Sequence, residues 1–510
     1  MSVTDHAFPI PLRERFATAV LISAVIGALI YGWLIFVVLA QMEVKSFGWS
    51  LYDEAFLAFM DGHLDLPARV LRIEGHFTPD GAGFLYHGLA PLITRLVFAP
   101  FVDIATTPLG PFSIWFWSTL GSALYYAAFY KVAETVWPAS GRNAPFWSTL
   151  LAIAVWCGGP GLIMASNVSL YQEPIAVSYA LTAGVVFLWV RMVYSGLPLR
   201  SMIIAMSVLA ALTVHARPNV AIGLYTVVLA ASATLLWQER RKAIAPLLIA
   251  LTLLGVGGVS YAVYNSMRFG DTATTHGTFA AGPIQHAMTF WGFEQVDSER
   301  AAAFTKHGRF NVSRIAPNVA LYGFQPPETV MPVGNEIAKH AYFKATQSWL
   351  GKVRIEGPGS GIFFMWTVWA LFATAGLFAG RTAIGPWTGL VFGTATSALV
   401  TLSYATVTLR YHVDLWPLVA ALSIVGIARL APRIVSAPIL STKPLGIILV
   451  VFFGFIVNTG VSQKYRAKFA ETPGSIMAVW SAEACRDIAD RKAFAEERIA
   501  KICRSPRTLH

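Results

Sequence analysis

Carboxylates stand at two places where a long apolar stretch has just ended or is about to begin. Ser50-Leu51-Tyr52-Asp53-Glu54-Ala55 follows the first such stretch. Asn167-Val168-Ser169-Leu170-Tyr171-Gln172-Glu173-Pro174 opens a later one, and Glu173 is the only charge between Arg142 and Arg191. An acid at a membrane surface is a candidate general base, because desolvation raises its pKa toward neutrality and a hydroxyl within hydrogen-bond reach can then lose its proton to it. The plain alternatives are a solvated helix start with Asp53 near the N-cap, and a Glu173 favoured by the helix dipole.

Three arginines lie at similar boundaries: Arg217 in His215-Ala216-Arg217-Pro218-Asn219, Arg268 in Asn265-Ser266-Met267-Arg268-Phe269-Gly270, and Arg410 in Leu409-Arg410-Tyr411-His412-Val413-Asp414. The planar guanidinium fork suits phosphate oxygens and stays charged when partly desolvated. Its plain alternatives are an ion pair with Asp53, Glu54, Glu173 or Asp414, or snorkelling. His215 and His412, with the carboxylates, are candidate ligands for a divalent metal, but no metal-ligand spacing supports one, so the metal assignment stays unknown. No Walker-type loop, Gly-x-Gly-x-x-Gly or Gly-x-Ser-x-Gly occurs, so neither nucleotide-driven transport nor a serine hydrolase has a motif behind it. Asn311-Val312-Ser313 has the form of a glycosylation sequon and is read as chance.

The elements that must position these residues are membrane helices. Of 510 residues, 55% are hydrophobic and 13% charged, with a mean hydropathy of +0.58, which excludes an ordinary soluble domain. The net charge of +11 is explained by basic inner loops, so no nucleic-acid partner is implied. About eleven stretches are long enough to cross a bilayer: 16–41, 112–130, 146–166, 174–190, 201–214, 218–237, 243–266, 361–379, 384–408, 415–428 and 445–461. The fold class is therefore an all-α integral membrane protein. The first run exceeds a signal-peptide core, so it reads as a span.

With the N-terminus cytoplasmic, short inner connections hold Arg13, Arg15, Lys131, Arg142, Arg191, Arg200, Arg240, Arg241, Lys242, Arg381, Arg429, Arg433 and Lys443, and short outer ones only Arg217 and Arg410. This requires that 89–105, interrupted by Pro91, Arg95, Pro100 and Asp103, lies along the outer face as a juxtamembrane helix. The chain then divides into 1–42 (N-terminus and first span), 43–111 (outer loop), 112–266 (bundle), 267–360 (large outer loop), 361–461 (second bundle) and 462–510 (outer tail). Function is expected in the outer pieces. In an oxidising compartment Cys485 and Cys503 would pair across a helical-looking stretch, and Cys157 reads as a small buried side chain. No internal repeat supports an inverted-repeat transporter.

The order of features resembles the GT-C superfamily of polytopic glycosyltransferases, which includes protein mannosyltransferases and the aminoarabinose and galacturonic-acid transferases of lipopolysaccharide. The matching residues are the acid pair Asp53-Glu54, the juxtamembrane-like Phe84-Leu85-Tyr86-His87-Gly88-Leu89-Ala90-Pro91-Leu92, the second acid Glu173 and the late Arg410-Tyr411. Gly62-His63-Leu64-Asp65-Leu66-Pro67, Tyr264-Asn265 with Arg268-Phe269-Gly270, and Asn318-Val319-Ala320-Leu321-Tyr322 before Pro326-Pro327 are similar to a bacterial subset of it. The resemblance covers 52–417; Glu173 stands where relatives often have Asp, and Ala90-Pro91 replaces a two-proline element.

It implies a GT-C-like bundle and an inverting transferase that moves a sugar from a polyprenyl-phosphate carrier to an extracytoplasmic glycan, lipid or protein acceptor, in a bacterial inner membrane with the site facing the periplasm. Asp53 would be the base, Glu54 would support it, and Glu173 would orient acceptor or metal. Arg217, Arg268 and Arg410 would hold the carrier phosphate, with Tyr411 and His412 nearby. Trp291, Phe293 and Tyr322 would stack on sugar or form the core of their loop, the second being preferred. The rival classes are a transporter, which would place ionisable groups at span centres, and a noncatalytic scaffold that binds the carrier lipid through the same arginines.

Overall fold

Helices lie within each of the predicted apolar stretches, although 384–408 is helical only to Leu402 and ends in a strand over Thr406–Thr408. The computed structural model describes residues 12–39, 47–135, 143–195, 199–280, 282–296, 298–380, 384–470 and 482–507. Arg142 and Arg381, counted above among the inner basic residues, lie outside them, as does the start of the first loop. Six helical stretches are long and apolar enough to cross a membrane: Phe16–Val38, Ala144–Met164, Gln172–Tyr194, Pro218–Phe269, Leu409–Val435 and Thr442–Lys468. Leu199–Val214 and Thr367–Leu377 are shorter apolar helices. Pro218–Phe269 is a pair, Pro218–Glu239 and Ile244–Phe269, broken at the basic turn Arg240–Ala243, where Arg240 takes a φ of 48°. Gly110–Glu134 is a helix of 25 residues whose buried face carries Ser118, Ser122, Tyr125, Tyr126 and Tyr130, so its hydroxyls lower its hydropathy without shortening it.

Side-chain size sets the packing. Gly110–Glu134 lies along Gln172–Ser195, Pro218–Glu239 along Thr388–Leu402, and Thr367–Leu377 along Leu409–Val435. In the last pair a Cβ on Gly376 would overlap the carbonyl of Leu422, and one on Gly426 that of Phe372, so only glycine allows this approach. The core between these helices is aromatic: Trp416 meets Trp366 edge-on at 5.1 Å and Trp369 at 5.6 Å, and Phe129 stacks on Trp369 at 4.4 Å. Cys157 sits in this bundle as a free thiol.

Both long loops and the C-terminal tail meet at one end of the bundle. β1 (His76–Phe77) of the first loop pairs antiparallel with β2 (Gly83–Phe84) and with β3 (Gln285–His286) of the second, placing His76 opposite both Phe84 and His286. β4 (Arg354–Glu356) runs parallel to β5 (Thr406–Thr408), which leads into Leu409–Val435. Phe47 accepts from Leu170 (2.9 Å) and donates to Phe469 (3.0 Å), tying loop, bundle and last helix together. In the tail, Ala482–Arg491 and Glu496–Ile502 are joined by the expected Cys485–Cys503 disulfide. Arg504 donates to Asp65 Oδ2 at 3.0 Å and Arg507 pairs with Asp61.

Within 89–105 only Leu92–Phe98 is helical; it turns Thr94 and Arg95 inward and leaves Leu96, Val97 and Phe101 exposed. That is the amphipathic split expected of a juxtamembrane segment. Trp291 packs on Phe77 (5.3 Å) and Tyr322 on His412 (4.7 Å), both buried, in agreement with the preferred role as loop core; Phe293 is exposed.

Candidate active site

Helix Leu51–Met60 sends three consecutive side chains to three different places, because each residue rotates about 100° from the last. The Tyr52 hydroxyl meets His87 Nδ1 at 2.8 Å. Asp53 Oδ1 accepts from Arg95 Nε (2.9 Å) and from the Leu109 backbone (3.2 Å), and Arg95 Nη1 reaches Glu173. Side-chain exposure is 0% for Asp53 and Arg95 and 2% for Glu173. Burial pushes the Asp53 carboxyl up from its ordinary value, with Arg95 and the Leu109 amide opposing it. Asp53 Oδ2 and Arg95 Nη2 have no partner among the described residues. Glu54 turns instead to a separate cavity of about 320 Å³ shared with Asp61, His63, Arg504 and Arg507. The two acids thus face different surroundings, although the Glu54 charge adds to the rise at Asp53.

The second centre is a cavity of about 150 Å³ between the bundle end and the loops. Arg217 grips Asp414 with both Nε (3.2 Å) and Nη2, Asn219 adds a bond to Asp414 at 3.1 Å, and the Arg217 guanidinium lies 5.2 Å from the Tyr411 ring centre. Arg309 lines the same cavity and reaches only the carbonyls of Gly277 (3.3 Å) and His276 (3.5 Å); it has no acidic partner among the described residues. Tyr86, His87, His276, Tyr261 and Tyr404 complete the wall. Burial, then the Arg217 charge, lowers His87 well below its ordinary value, and burial followed by Arg309 lowers His276 to about 3. Both rings are therefore neutral near pH 7. Gly88 sets this wall: a Cβ there would strike the His215 backbone, and Ala90 donates to His215 at 3.1 Å, which brings Tyr86-His87 beside Arg217.

The remaining predicted residues support rather than line the cavity. Arg268 donates to the carbonyls of Leu85 and His87 (3.0 Å) and to Asn265 Oδ1 (2.6 Å), with its guanidinium 3.8 Å from the Tyr264 ring centre. Arg410 donates to Glu356 Oε2 at 2.8 Å over the Tyr171 ring (4.2 Å). Burial alone would raise the Glu356 carboxyl, but Arg410, Arg354 and Lys468 hold it well below the usual range. His412 Nδ1 faces the carbonyl of Leu409 (3.2 Å), with its ring toward Tyr322 in the core.

The cavity therefore gathers Arg217 and Tyr411 with Asp414, while Asp53 and Glu173 meet behind it through Arg95. In the sequence Arg95 is an interruption of an apolar segment, and a lone cation in such a segment signals buried partners. Arg309, Tyr86 and His87 carried no such signal. No group of three or more His, Cys, Asp or Glu side chains among the described residues could hold a metal. Of the carboxylates read with His215 and His412 as candidate ligands, Asp53 and Glu173 share the Arg95 guanidinium, an arrangement that does not fit a cation between them.

No protein-family model matches the chain, and no curated protein does. Among solved structures, the apo form of the Archaeoglobus fulgidus oligosaccharyltransferase is similar, with a TM-score of 0.48, 10% identity, and coverage of 96% of this chain and 60% of that one. The archaeal oligosaccharyltransferase AglB from Archaeoglobus fulgidus, in complex with an inhibitory peptide and a dolichol-phosphate, gives 0.46, 11%, 96% and 59%. This chain spans about 60% of the length of those proteins, and the similarity is one of loose overall shape that assigns no residue.

Proposed function

We propose that the protein is an inverting glycosyltransferase of the GT-C type that takes a sugar from a polyprenyl-phosphate carrier. One observation carries the reading: a cationic, aromatic cavity sits where apolar helices end, with exposed apolar side chains beside it. Phe310 lines the cavity and is itself 53% exposed. Ile222, one turn beyond the cavity residue Pro218, and Leu399 and Val263, each two residues from the cavity residues Thr401 and Tyr261, are exposed too. A charged pocket with an apolar approach fits an amphiphile whose head is anionic. Arg309 and Arg217 would hold the carrier phosphate as the leaving group, and Tyr404 and Tyr411 would stack on the sugar.

Asp53 is the base of this reading. Two carboxylates share one guanidinium in a buried cluster, which leaves one uncompensated negative charge, and uptake of one proton neutralises it. Tyr52 links the cluster's helix to His87 at the cavity wall. Glu173 balances Asp53 through Arg95, Arg268 and Arg410 brace the wall, and Glu54 belongs to the neighbouring cavity. The proposed membrane frame is about eleven spans with a cytoplasmic N-terminus, the loop layer lying on the extracytoplasmic face of a bacterial inner membrane. The tail disulfide supports that side, since such bonds persist in oxidising compartments. The complete burial of Asp53 favours one competing reading, a scaffold that binds the carrier phosphate without transferring its sugar.

The test is the envelope glycan profile, by mass spectrometry, of a deletion strain carrying wild type, Asp53→Asn or Arg309→Ala. A sugar lost on deletion and restored by wild type alone supports the transferase. Full restoration by Asp53→Asn points to the scaffold, and an unchanged profile on deletion overturns the reading.

A further inference from the structure

Helix Pro332–Leu350 of the second long loop is sided in an unusual way. The face it turns to the protein is largely polar: Asn335 donates to the carbonyls of Pro326 (2.7 Å) and Gly359 (3.2 Å), the Tyr342 hydroxyl donates to Asn318 (2.7 Å), and Thr346 bonds back to Tyr342 (2.7 Å). Its outward residues divide in two. Ile337, Ala341, Ala345 and Trp349, spaced every fourth residue, are exposed along one flank with Ser348 among them; Glu336, His340, Lys344 and Gln347 are exposed on the other, and Val333 stands at the border of the two in the first turn. Val333 is 72% and Ile337 64% exposed. A helix surrounded by water would not turn Asn335 and Thr346 inward and leave Val333, Ile337 and Trp349 outward.

The helix also lies at the level of the bundle's end along its length. Before its first turn, Thr329 touches Gly460 and Glu328 pairs with Lys464 at 2.6 Å, both on Thr442–Lys468. At its middle, Tyr342 and Phe343 belong to a cluster with Ala398, Leu402 and Leu415 of two bundle helices, and Asn318, the partner of Tyr342, donates to the Leu402 carbonyl at 2.7 Å. The neighbouring Phe324, exposed, stacks at 4.6 Å on Phe363 at the head of the next bundle helix. The helix is thus held against the end of the bundle by its inner side, and its outward apolar residues lie at that same level.

We propose that Pro332–Leu350 is an interfacial helix lying in the headgroup–acyl boundary, its Ile337–Ala341–Ala345–Trp349 flank seated in lipid and its Glu336–His340–Lys344 flank in the aqueous headgroup zone. Tryptophan at one end suits that boundary, and such helices bury an apolar face about 5–10 Å into it. The occupant of the stripe is the bilayer that the bundle spans. This inference rests on siding and depth and is independent of whether the protein transfers a sugar.

The experiment uses the full chain with Cys157→Ala, reconstituted in vesicles of phosphatidylethanolamine and phosphatidylglycerol, with single cysteines at Ile337→Cys, Ala341→Cys or Ala345→Cys labelled with an environment-sensitive fluorophore. Asp487→Cys on the exposed tail is the aqueous reference. Lipids spin-labelled near the top of the acyl chain are expected to quench the three stripe positions several-fold more than iodide does, with the order reversed at Asp487→Cys. A helix covered by another protein, or bare to water, gives stripe positions indifferent to the spin label, and that result overturns the proposal. Three positions are used so that a misfolded variant, recognised by size-exclusion, leaves two to decide.

Discussion

Two groups of arginine and carboxylate lie on either side of Tyr52 and His87, built from the same residue types and opposite in character. Asp53–Arg95–Glu173 has two acids to one cation, side-chain exposures of 0%, 0% and 2%, and lines neither the Arg217 cavity nor the one at Glu54. Arg217–Asp414 with Arg309 has two cations to one acid around an open cavity. The first joins three elements, Leu51–Met60, Leu92–Phe98 and Gln172–Ser195, at a single guanidinium; the second leaves a guanidinium facing space. Stoichiometry and burial, rather than residue identity, separate a group that holds the fold and attracts a proton from one able to receive an anion.

The largest expected effect is from Arg95→Ala. It strands two buried carboxylates, and breaking a buried pair costs about 3–5 kcal/mol, so the thermal midpoint in detergent should fall steeply and activity with it. Replacing Asp53, Arg95 and Glu173 together by apolar residues should recover most of that stability, as such swaps often do, while transfer stays lost. A stable Arg95→Ala protein would show that the cluster does not hold the loop to the bundle.

Arg309→Ala should do the reverse. Its guanidinium has no acid to strand, so the melting midpoint should stay near wild type, while loss of a charge-assisted bond worth roughly 1.5–3 kcal/mol weakens carrier-phosphate binding about 10–100-fold. Binding of a short-chain polyprenyl phosphate by the purified protein reads this directly. If Arg309→Ala destabilises the protein as far as Arg95→Ala, the contrast between the two groups fails.

Acidity should act in opposite directions on Asp53 and on the histidines packed beside the Arg309 cavity. Beside the cavity, burial and mutual repulsion lower His76 and His286 well below their ordinary value, and burial with Arg309 takes His276 to about 3. The unfolded chain takes up these protons near pH 6.5 and the fold does not, so stability is lost as pH falls below about 6.5, by up to about 1.4 kcal/mol per pH unit for each ring. Asp53 is raised, so its contribution is present at low pH and fades as pH rises above about 3.9. Hydrogen exchange at pH 7.5 and 5.5 should therefore loosen first at 76–86 and 276–286, with His276→Gln flattening the response. Simultaneous loosening around Asp53 would contradict the assignment.

The apolar stretches and the tail disulfide were legible because helix length and hydropathy are local properties of the chain. Register around the helix was legible in principle, yet the adjacency of Asp53 and Glu54 suggested one acidic centre, and only the neighbours of each face separate them. Arg217 was read as phosphate-binding with Asp414 among its alternative partners, and the structure shows that pairing. Arg309 was beyond reach: nothing local distinguishes it from other loop arginines, and its place in the cavity depends on β1 and β3 pairing across some two hundred residues. Contacts of that span leave no periodic trace in a single sequence.

The smallest effect should come from Arg504→Ala with Arg507→Ala. Both ion pairs are partly exposed, at 31% and 17% for Arg504–Asp65 and 39% and 57% for Arg507–Asp61, and such pairs contribute about 0.2–1 kcal/mol each. The bundle's melting midpoint should hardly move. The tail should nonetheless loosen over the cavity that holds Glu54, because these arginines tie the segment after Cys503 to the first loop. Limited proteolysis should then cut the tail faster, more so after reduction of the disulfide, while the glycan profile of complemented cells stays that of wild type. A glycan defect as deep as that of Asp53→Asn would mean that the cavity at Glu54 and the one at Arg309 act as one site, erasing the separation made by three consecutive residues of a single helix.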